Sequence, residues 1–201
     1  MQRCPYTCLE NSKEAVVYKE FSGKAENFVK RVLCDYKPTT YSEIKVIHDP
    51  VWGTVKFYPW ELQIMDSPFL QRLRNVNQLG LAVYTYPSAH HSRFEHTLGV
   101  VALVTRMAES VNDSSGSALV SPDDMNKLRL AALLHDVGHC FFSHLSERMY
   151  GNTEEFLNLK NSFDIFTSAQ PHEILGYVII NTKSFKEFFK NFVSYPISVS
   201  D

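Results

Sequence analysis

Apolar residues recur every three to four positions along most of the chain, which predicts a mainly helical protein. Residues 19–36 fit one short helix, and the following KPTTYSE ends it. Helical spacing resumes over residues 60–80 with a break at Ser67-Pro68. Residues 97–111 have little polar surface and predict a buried helix with His96 near its start.

The second half of the chain predicts further helices. Ser121 is a suitable N-cap, with Pro122 at the first helical position and Asp124 completing a capping box, so a helix is expected over residues 121–137. Gly138 is a plausible helix stop. Residues 112–121 and 154–170 are predicted to be irregular, and helical spacing returns after Pro171.

One segment alternates in the manner of β-strands. The runs IKVI and TVKFY flank DPVWG, which predicts a hairpin over residues 44–58. The fold class is therefore all-α with a short β-hairpin near the N-terminus. Residues 1–43 are interpreted as a lead segment and residues 44–201 as the domain.

Composition and charge narrow the function classes. The chain has 201 residues, 44% of them hydrophobic and 21% charged, as in an ordinary globular domain. The net charge of −2 gives no global basic field for nucleic acid or a membrane, although the QRLRNVNQ segment is a local basic candidate. The cysteines are interpreted as free thiols; they are Cys4, Cys8, Cys34 and Cys140. With no secretory segment or membrane span apparent, an intracellular protein is expected, nuclear or cytoplasmic.

Candidate chemistry concentrates in LLHDVGHCFFSH, residues 133–144. His135 and Asp136 point about 100° apart on a helix but can reach one ion placed at its end. His96 from another helix would be the third ligand. Imidazole and carboxylate together bind divalent metals, here Mn, Mg, Fe or Zn. Three protein ligands leave positions open for water, which suits hydrolysis.

Side chains near this predicted metal site suggest further roles. His139 and His144 would lie beside the ion, where imidazole can give a proton to a leaving oxygen. Arg93 is placed to hold a phosphate oxygen. Glu173 is placed to orient His172 or a nearby histidine through a hydrogen bond. For Arg72 and Arg74, a local basic site and a solvated helix face are equally consistent with the sequence.

These motifs resemble a known family. RFEHTLGV at 93–100 and LLHDVGHCFFSH at 133–144 resemble the HD-domain phosphohydrolases. The segment from Asp66 to His96 narrows the resemblance to deoxynucleoside triphosphate triphosphohydrolases, and among them to the branch that combines SAM and HD domains. The likeness runs from about Ile44 to Thr182, and no SAM domain is evident in residues 1–43.

The resemblance implies a helical HD fold that hydrolyses a deoxynucleoside triphosphate to deoxynucleoside and triphosphate, in a homo-oligomer that a guanine nucleotide regulates. Its metal ligands would be His96, His135 and Asp136. Its active-site residues would be His139, His144, His172 and Glu173, with His144 as proton donor and Arg93 on phosphate. Gln78 and Leu79 would face the deoxyribose. The regulatory nucleotide would contact Lys45, Val46, Asp66, Gln71 and Arg74.

One departure from the family bears on activity. The family's fourth metal ligand is an aspartate in a later helix, and VSYPISVSD does not resemble that segment, although Asp201 could substitute. A fragment or truncated isoform is therefore expected, with residues 44–201 as the N-terminal part of the HD domain. Two alternatives stay open. One is a catalytically incomplete nucleotide-binding or regulatory module, and the other is an HD phosphodiesterase or 5′-nucleotidase, against which the family-like QLG at 78–80 argues.

Overall fold

The computed structural model describes residues 13–196, so the interpretations of Cys4, Cys8 and Asp201 lie outside the described residues. Within that range the α-helices are α1 Lys13–Leu33, α2 Pro59–Met65, α3 Pro68–Gln71, α4 Arg93–Ser115, α5 Pro122–Leu134, α6 His144–Tyr150, α7 Glu154–Asn161, α8 Pro171–Asn181 and α9 Lys183–Phe192. Short 3-10 turns cover Arg72–Asn75, Gly80–Tyr84 and Asp164–Phe166. The predicted all-α class is confirmed.

The predicted hairpin is also confirmed. Strand β1, Lys45–Asp49, pairs antiparallel with β2, Gly53–Phe57. A carboxylate oxygen of Asp49 accepts hydrogen bonds from the backbone N–H groups of Val51 and Trp52, both at 2.8 Å, and Gly53 adopts a φ of 71°. The aspartate and the glycine together close the turn.

Helix α1 begins and ends earlier than the sequence predicts. It packs against α7, α8 and α9, which brings it over a small apolar cluster that includes Ala25, Phe156 and Ile174. A larger core cluster lies between the hairpin, α2–α5, α8 and α9. The division of the chain after residue 43 stays a prediction.

Helix α4 carries the first candidate ligand. Ser92 accepts a hydrogen bond from the backbone N–H of Glu95, and the Glu95 carboxylate accepts one from Ser92 in return. This reciprocal cap begins the helix one turn before His96. The helix is not wholly buried, because Met107 is 59% exposed. It also continues through Ser115 and ends at Gly116, with φ 63°, so the predicted loop starts too early.

Helix α5 leads directly into the other two candidate ligands, His135 and Asp136. It begins at the predicted capping box, in which the Ser121 hydroxyl accepts from the N–H of Asp124. A buried ion pair joins it to α2. Arg129 donates to both carboxylate oxygens of Glu61 at 2.7 Å, and these two residues are 4% and 0% exposed. Arg129 also donates to the hydroxyl of Thr105 on α4, at 2.6 Å, and to the carbonyl of Lys56 on β2, at 2.9 Å. One guanidinium therefore connects four elements.

The final third differs from prediction in one place. Residues 154–170 are not irregular, because α7 begins after Thr153, whose hydroxyl accepts from the N–H of Phe156. The helical region after Pro171 is confirmed, although Thr182 divides it by capping α9. Among the described residues, no helix combines the length and the apolar character needed to cross a membrane.

Candidate metal centre and the adjacent histidine cluster

Three predicted metal ligands converge where α4 begins and α5 ends. His96 lies in the first turn of α4, His135 caps α5, and Asp136 follows it. The Nε2 atoms of His96 and His135 are 3.4 Å apart, and Nε2 of His135 is 3.1 Å from a carboxylate oxygen of Asp136. Nε2 of His96 is 3.9 Å from the other oxygen of Asp136.

The hydrogen bond of His135 defines its tautomer. Nδ1 of His135 lies 2.7 Å from the carbonyl oxygen of Ala132, which can only accept. The proton is therefore on Nδ1, and Nε2 presents its lone pair toward His96 and Asp136. Burial lowers the pKa of His96, which favours the neutral imidazole that a metal requires.

These donors fit a divalent cation. One donor atom from each of His96, His135 and Asp136 lies within 4.8 Å of the other two. Metal–nitrogen and metal–oxygen bonds of roughly 2.0–2.2 Å place neighbouring ligand atoms about 3.3 Å apart in tetrahedral geometry. Both histidine side chains are 35% exposed, so solvent or a substrate can approach the same point.

Arg93 is buried beneath this centre. Its Nη1 donates to the Asp136 carboxylate at 2.7 Å, and its Nε donates to the hydroxyl of Ser143 at 3.1 Å. The oxygen that Arg93 holds is the one 3.9 Å from His96, and the other oxygen faces His135 at 3.1 Å. Nη2 of Arg93 lies 3.3 Å from Nε2 of His144, so one guanidinium contacts both Asp136 and His144. Its predicted contact with phosphate stays a prediction.

A second group of donors surrounds Glu147 on α6. Its Oε1 lies 3.2 Å from Nδ1 of His139, 2.9 Å from Nδ1 of His144 and 3.2 Å from Nδ1 of His172. The rings of His139 and His172 stack with centroids 3.8 Å apart. We call these four residues the Glu147 cluster. Burial, and next the charge of Arg93, lower the pKa of His139 to about 2, so this ring is neutral at physiological pH.

The predicted contact between Glu173 and a histidine is wrong. Its carboxylate accepts from the backbone N–H of Gln170 at 2.6 Å and completes the capping box of α8. The carboxylate that faces His172 is Glu147, which the sequence interpretation did not include. A signal was available, because Glu147 follows His144 by three residues and shares its face in a helix.

The role predicted for Gly138 is also wrong. Helix α5 ends at Leu134, and Gly138 is not among the described glycines with positive φ. A Cβ there would lie 1.9 Å from the carbonyl oxygen of His172 and 2.5 Å from the backbone nitrogen of Gly176. A glycine is needed at position 138 because the chain just after the candidate ligands His135 and Asp136 passes directly against the backbone of α8.

We expect Gly138→Ala to lower the free energy of unfolding by about 1–3 kcal/mol, because the methyl group meets backbone atoms that cannot turn away. Gly23→Ala is the matched control. Gly23 is exposed within α1 with nothing near its Cβ position, so alanine there should stabilise by about 0.5–1 kcal/mol. Urea denaturation of both variants is the measurement, and equal stability of the two would contradict the close approach.

Arg72 holds the backbone on both sides of Gly138. Its Nη1 donates to the carbonyl of His139 at 2.6 Å, and its Nη2 donates to the carbonyl of Val137. Of the alternatives left open for Arg72, these contacts exclude the solvated helix face, whereas Arg74 is exposed. One side chain thus holds two backbone carbonyls just after the candidate ligands His135 and Asp136.

The predicted sugar-facing residues lie beside Arg93. A bridge between Asn77 and Ser92 brings Gln78 next to the start of α4, and the Gln78 carbonyl accepts from the Ser143 hydroxyl at 3.2 Å. Leu79 is 53% exposed. The side-chain oxygen of Gln78 is buried without a hydrogen-bond partner among the described residues, and its predicted contact with a sugar stays a prediction.

Among the residues predicted for a regulatory nucleotide, Gln71 and Arg74 contact each other, whereas Lys45 and Asp66 both contact Tyr41. The hydroxyl of Tyr41 bonds to the carboxylate of Asp66, and Nζ of Lys45 lies 4.3 Å from the Tyr41 ring. Nε of Arg74 donates to Gln71 at 2.8 Å. Val46 is 58% exposed on β1. Burial raises the pKa of Asp66, against the opposing charge of Arg74. Nucleotide binding by this group stays a prediction.

Comparison with known proteins identifies the class. The HD domain family matches residues 93–195, a range that includes the candidate metal centre and the Glu147 cluster. This match covers more than half of the chain, and the chain belongs to the HD-domain family.

Particular relatives agree with the resemblance read from the sequence. The chain is 39% identical to the deoxynucleoside triphosphate triphosphohydrolase SAMHD1 of Homo sapiens over 153 residues, which are 76% of this chain and 24% of that protein. It is 33% identical to SAMHD1 of Bos taurus over 153 residues, 76% of this chain and 25% of the relative. For SAMHD1 of Xenopus laevis the identity is 37% over 115 residues, 57% of this chain and 18% of the relative. The chain spans about a quarter or less of the length of these relatives.

Proposed function

We propose that the chain carries the metal- and phosphate-binding part of an HD phosphohydrolase that converts deoxynucleoside triphosphates to deoxynucleoside and inorganic triphosphate. The observation that carries the proposal is the convergence of His96, His135 and Asp136, with Arg93 and His144 directly beside them. The similarity to SAMHD1 supports the choice of substrate.

The three donors would hold the metal, and when bound the metal supplies a Lewis acid and lowers the pKa of water. Arg93 orients the Asp136 carboxylate through their 2.7 Å ion pair. Its Nη2 lies 3.3 Å from Nε2 of His144, on the side where a phosphate oxygen is proposed to lie. The chain therefore supplies one fixed positive charge below the proposed position of the phosphate.

His144 is the proposed proton donor to the departing 5′-oxygen. Its side chain is 66% exposed, its Nδ1 faces Glu147 at 2.9 Å, and its Nε2 is on the side of Arg93. Glu147 thus orients the ring so that the second nitrogen points toward the proposed substrate. Glu147 is a positioning residue in this account, and it replaces Glu173 in that role.

Substrate selection is proposed to lie with Gln78 and Leu79, and control with a guanine nucleotide at Lys45, Val46, Asp66, Gln71 and Arg74. The first assignment is supported by the unpartnered oxygen of Gln78. The second is supported by the family resemblance, as are a homo-oligomeric state and an intracellular location for the whole protein.

A second candidate is a nucleotide-binding or regulatory module without turnover. It is favoured by the donor set, because the described residues bring three ligands to the centre and not four. Both candidate functions include nucleotide binding, but only the first includes hydrolysis of the nucleotide.

The test is to incubate the complete gene product with each of the four dNTPs and Mn²⁺, and to identify the products by chromatography. Deoxynucleoside together with triphosphate is expected, with no turnover of the matching ribonucleotide. Release of a monophosphate, or hydrolysis of a phosphodiester in place of dNTPs, would overturn the proposed substrate. Tight dNTP binding without product would select the regulatory module.

A further inference from the structure

We propose that a cavity between α1 and α8 binds a small amphipathic carboxylic acid, a molecule with an apolar body and one carboxylate. The cavity has a volume of about 620 Å³, within the range of roughly 300–1,000 Å³ that is usual for small-molecule sites. It is distinct from the candidate metal centre, because none of His96, His135 and Asp136 lines it. The proposal goes beyond the proposed function, since binding here can be measured whether or not dNTPs are hydrolysed.

The walls of the cavity are mostly apolar. On α1, Phe21, Ala25 and Phe28 lie at positions i, i+4 and i+7 and therefore share one face of the helix. Leu175 and Ile179, one turn apart on α8, line the same cavity. Removing apolar surface from water is favourable, so these walls favour the apolar body of a ligand.

Arg72 brings a positive charge to the wall of this cavity. Its Nη1 and Nη2 donate to the carbonyls of His139 and Val137. These bonds use two of the five N–H groups of a guanidinium. Nε of Arg72 is buried and has no hydrogen-bond partner among the described residues. Because backbone carbonyls carry no net charge, these contacts leave the charge of the guanidinium without a countercharge.

Arg72 differs in this respect from two other buried arginines. Arg93 forms an ion pair with Asp136, and Arg129 forms one with Glu61. Burial lowers the pKa of Arg72, and no carboxylate of the described residues pairs with it to offset that effect. A charge that is withdrawn from water is usually paired. A ligand carboxylate in the cavity would supply the missing partner.

The other titratable groups at the cavity leave its charge positive. Nζ of Lys24 donates to both carboxylate oxygens of Glu155 at 2.7 Å, so this exposed pair is neutral as a whole. His139 and Cys140 add no charge, because burial lowers the pKa of the imidazole and raises the pKa of the thiol. The uncompensated charge is therefore that of Arg72, which favours a monoanion over a neutral or cationic ligand.

The test compares octanoate with 1-octanol, which have the same apolar chain and differ in charge. Binding of each to the purified chain is measured by isothermal titration calorimetry, below the concentration at which octanoate forms micelles. The chain is first treated with a chelator, so that no metal ion can bind the carboxylate. We expect one equivalent of octanoate to bind at least about tenfold more tightly than octanol, because hydrogen bonds between charged groups are the stronger ones.

Variants of the cavity locate the ligand. Arg72→Gln should weaken octanoate binding at least about tenfold and leave octanol binding unchanged. Leu175→Trp should abolish the binding of both ligands, because the indole ring fills the space. Leu103→Trp, at an exposed leucine on α4 outside the cavity, is the matched control and should bind both ligands normally. Circular dichroism verifies that each variant is folded, and Ala25→Leu narrows the cavity from α1 if Leu175→Trp does not fold.

Three results would overturn the proposal. Octanoate and octanol could bind the unmodified chain equally well, which would exclude a role for the charge of Arg72. Octanoate could keep its full affinity in folded Leu175→Trp or Ala25→Leu, which would place the ligand elsewhere. Octanoate could also show no saturable binding. None of these results depends on dNTP hydrolysis, so failure of this proposal is distinguishable from failure of the proposed function.

Discussion

Replacing His135 and Asp136 together by alanine should abolish metal-dependent hydrolysis by the complete gene product. The double variant removes two of the three donors, whose atoms lie 3.1–3.9 Å apart at the proposed metal. Changes to groups that only support metal ligands already cost roughly 10–100-fold in affinity or activity. We therefore expect a loss greater than about 100-fold, with loss of the metal from this centre.

The measurement is the rate of triphosphate release at saturating Mn²⁺, with metal content determined in parallel. His90→Ala is the control, because His90 is an exposed loop histidine outside both donor groups. It should retain full activity. Unchanged turnover in the double variant would refute the assignment of the metal centre.

The second large effect is expected on stability. Glu61→Gln should lower the free energy of unfolding by about 3–5 kcal/mol, because it leaves the buried guanidinium of Arg129 without a countercharge. The substitution keeps the size of the side chain, so lost packing contributes little. Since Arg129 lies on α5, which ends just before His135, we also expect weaker metal binding at the candidate metal centre.

Urea denaturation followed by circular dichroism measures this effect. Glu155→Gln is the control, because it removes the partner of Lys24 in an ion pair that is 63% and 41% exposed. Exposed pairs contribute little, so no clear change is expected. Equal effects of the two substitutions would show that the buried ion pair does not support the fold as described.

Local signals explain which helices could be predicted from the sequence. The beginning of α5 follows from Ser121, Pro122 and Asp124, because a capping box is encoded within four residues. The hairpin follows from two β-rich runs around a turn with Asp49 and Gly53. Helix α7 was missed because its residues are mainly polar, and its buried side is formed by Phe156 and Leu159 against the rest of the chain.

In the candidate site, too, local sequence signals identify some residues, whereas the contacts of others depend on the fold. His96, His135 and Asp136 could be selected because their residue types and spacing are characteristic of a metal site. The partners of Arg72, Gly138 and Glu173 could not be selected, because each depends on how segments far apart in sequence approach one another. Gly138 illustrates this, since its neighbours His172 and Gly176 belong to a different helix. A helix stop was the simpler local explanation for that glycine.

The most direct test of the metal centre is anomalous diffraction from crystals of the chain grown with Zn²⁺. The account predicts a peak about 2.0–2.2 Å from Nε2 of His96, Nε2 of His135 and a carboxylate oxygen of Asp136. The absence of a peak between these atoms, with the three side chains turned apart, would contradict it.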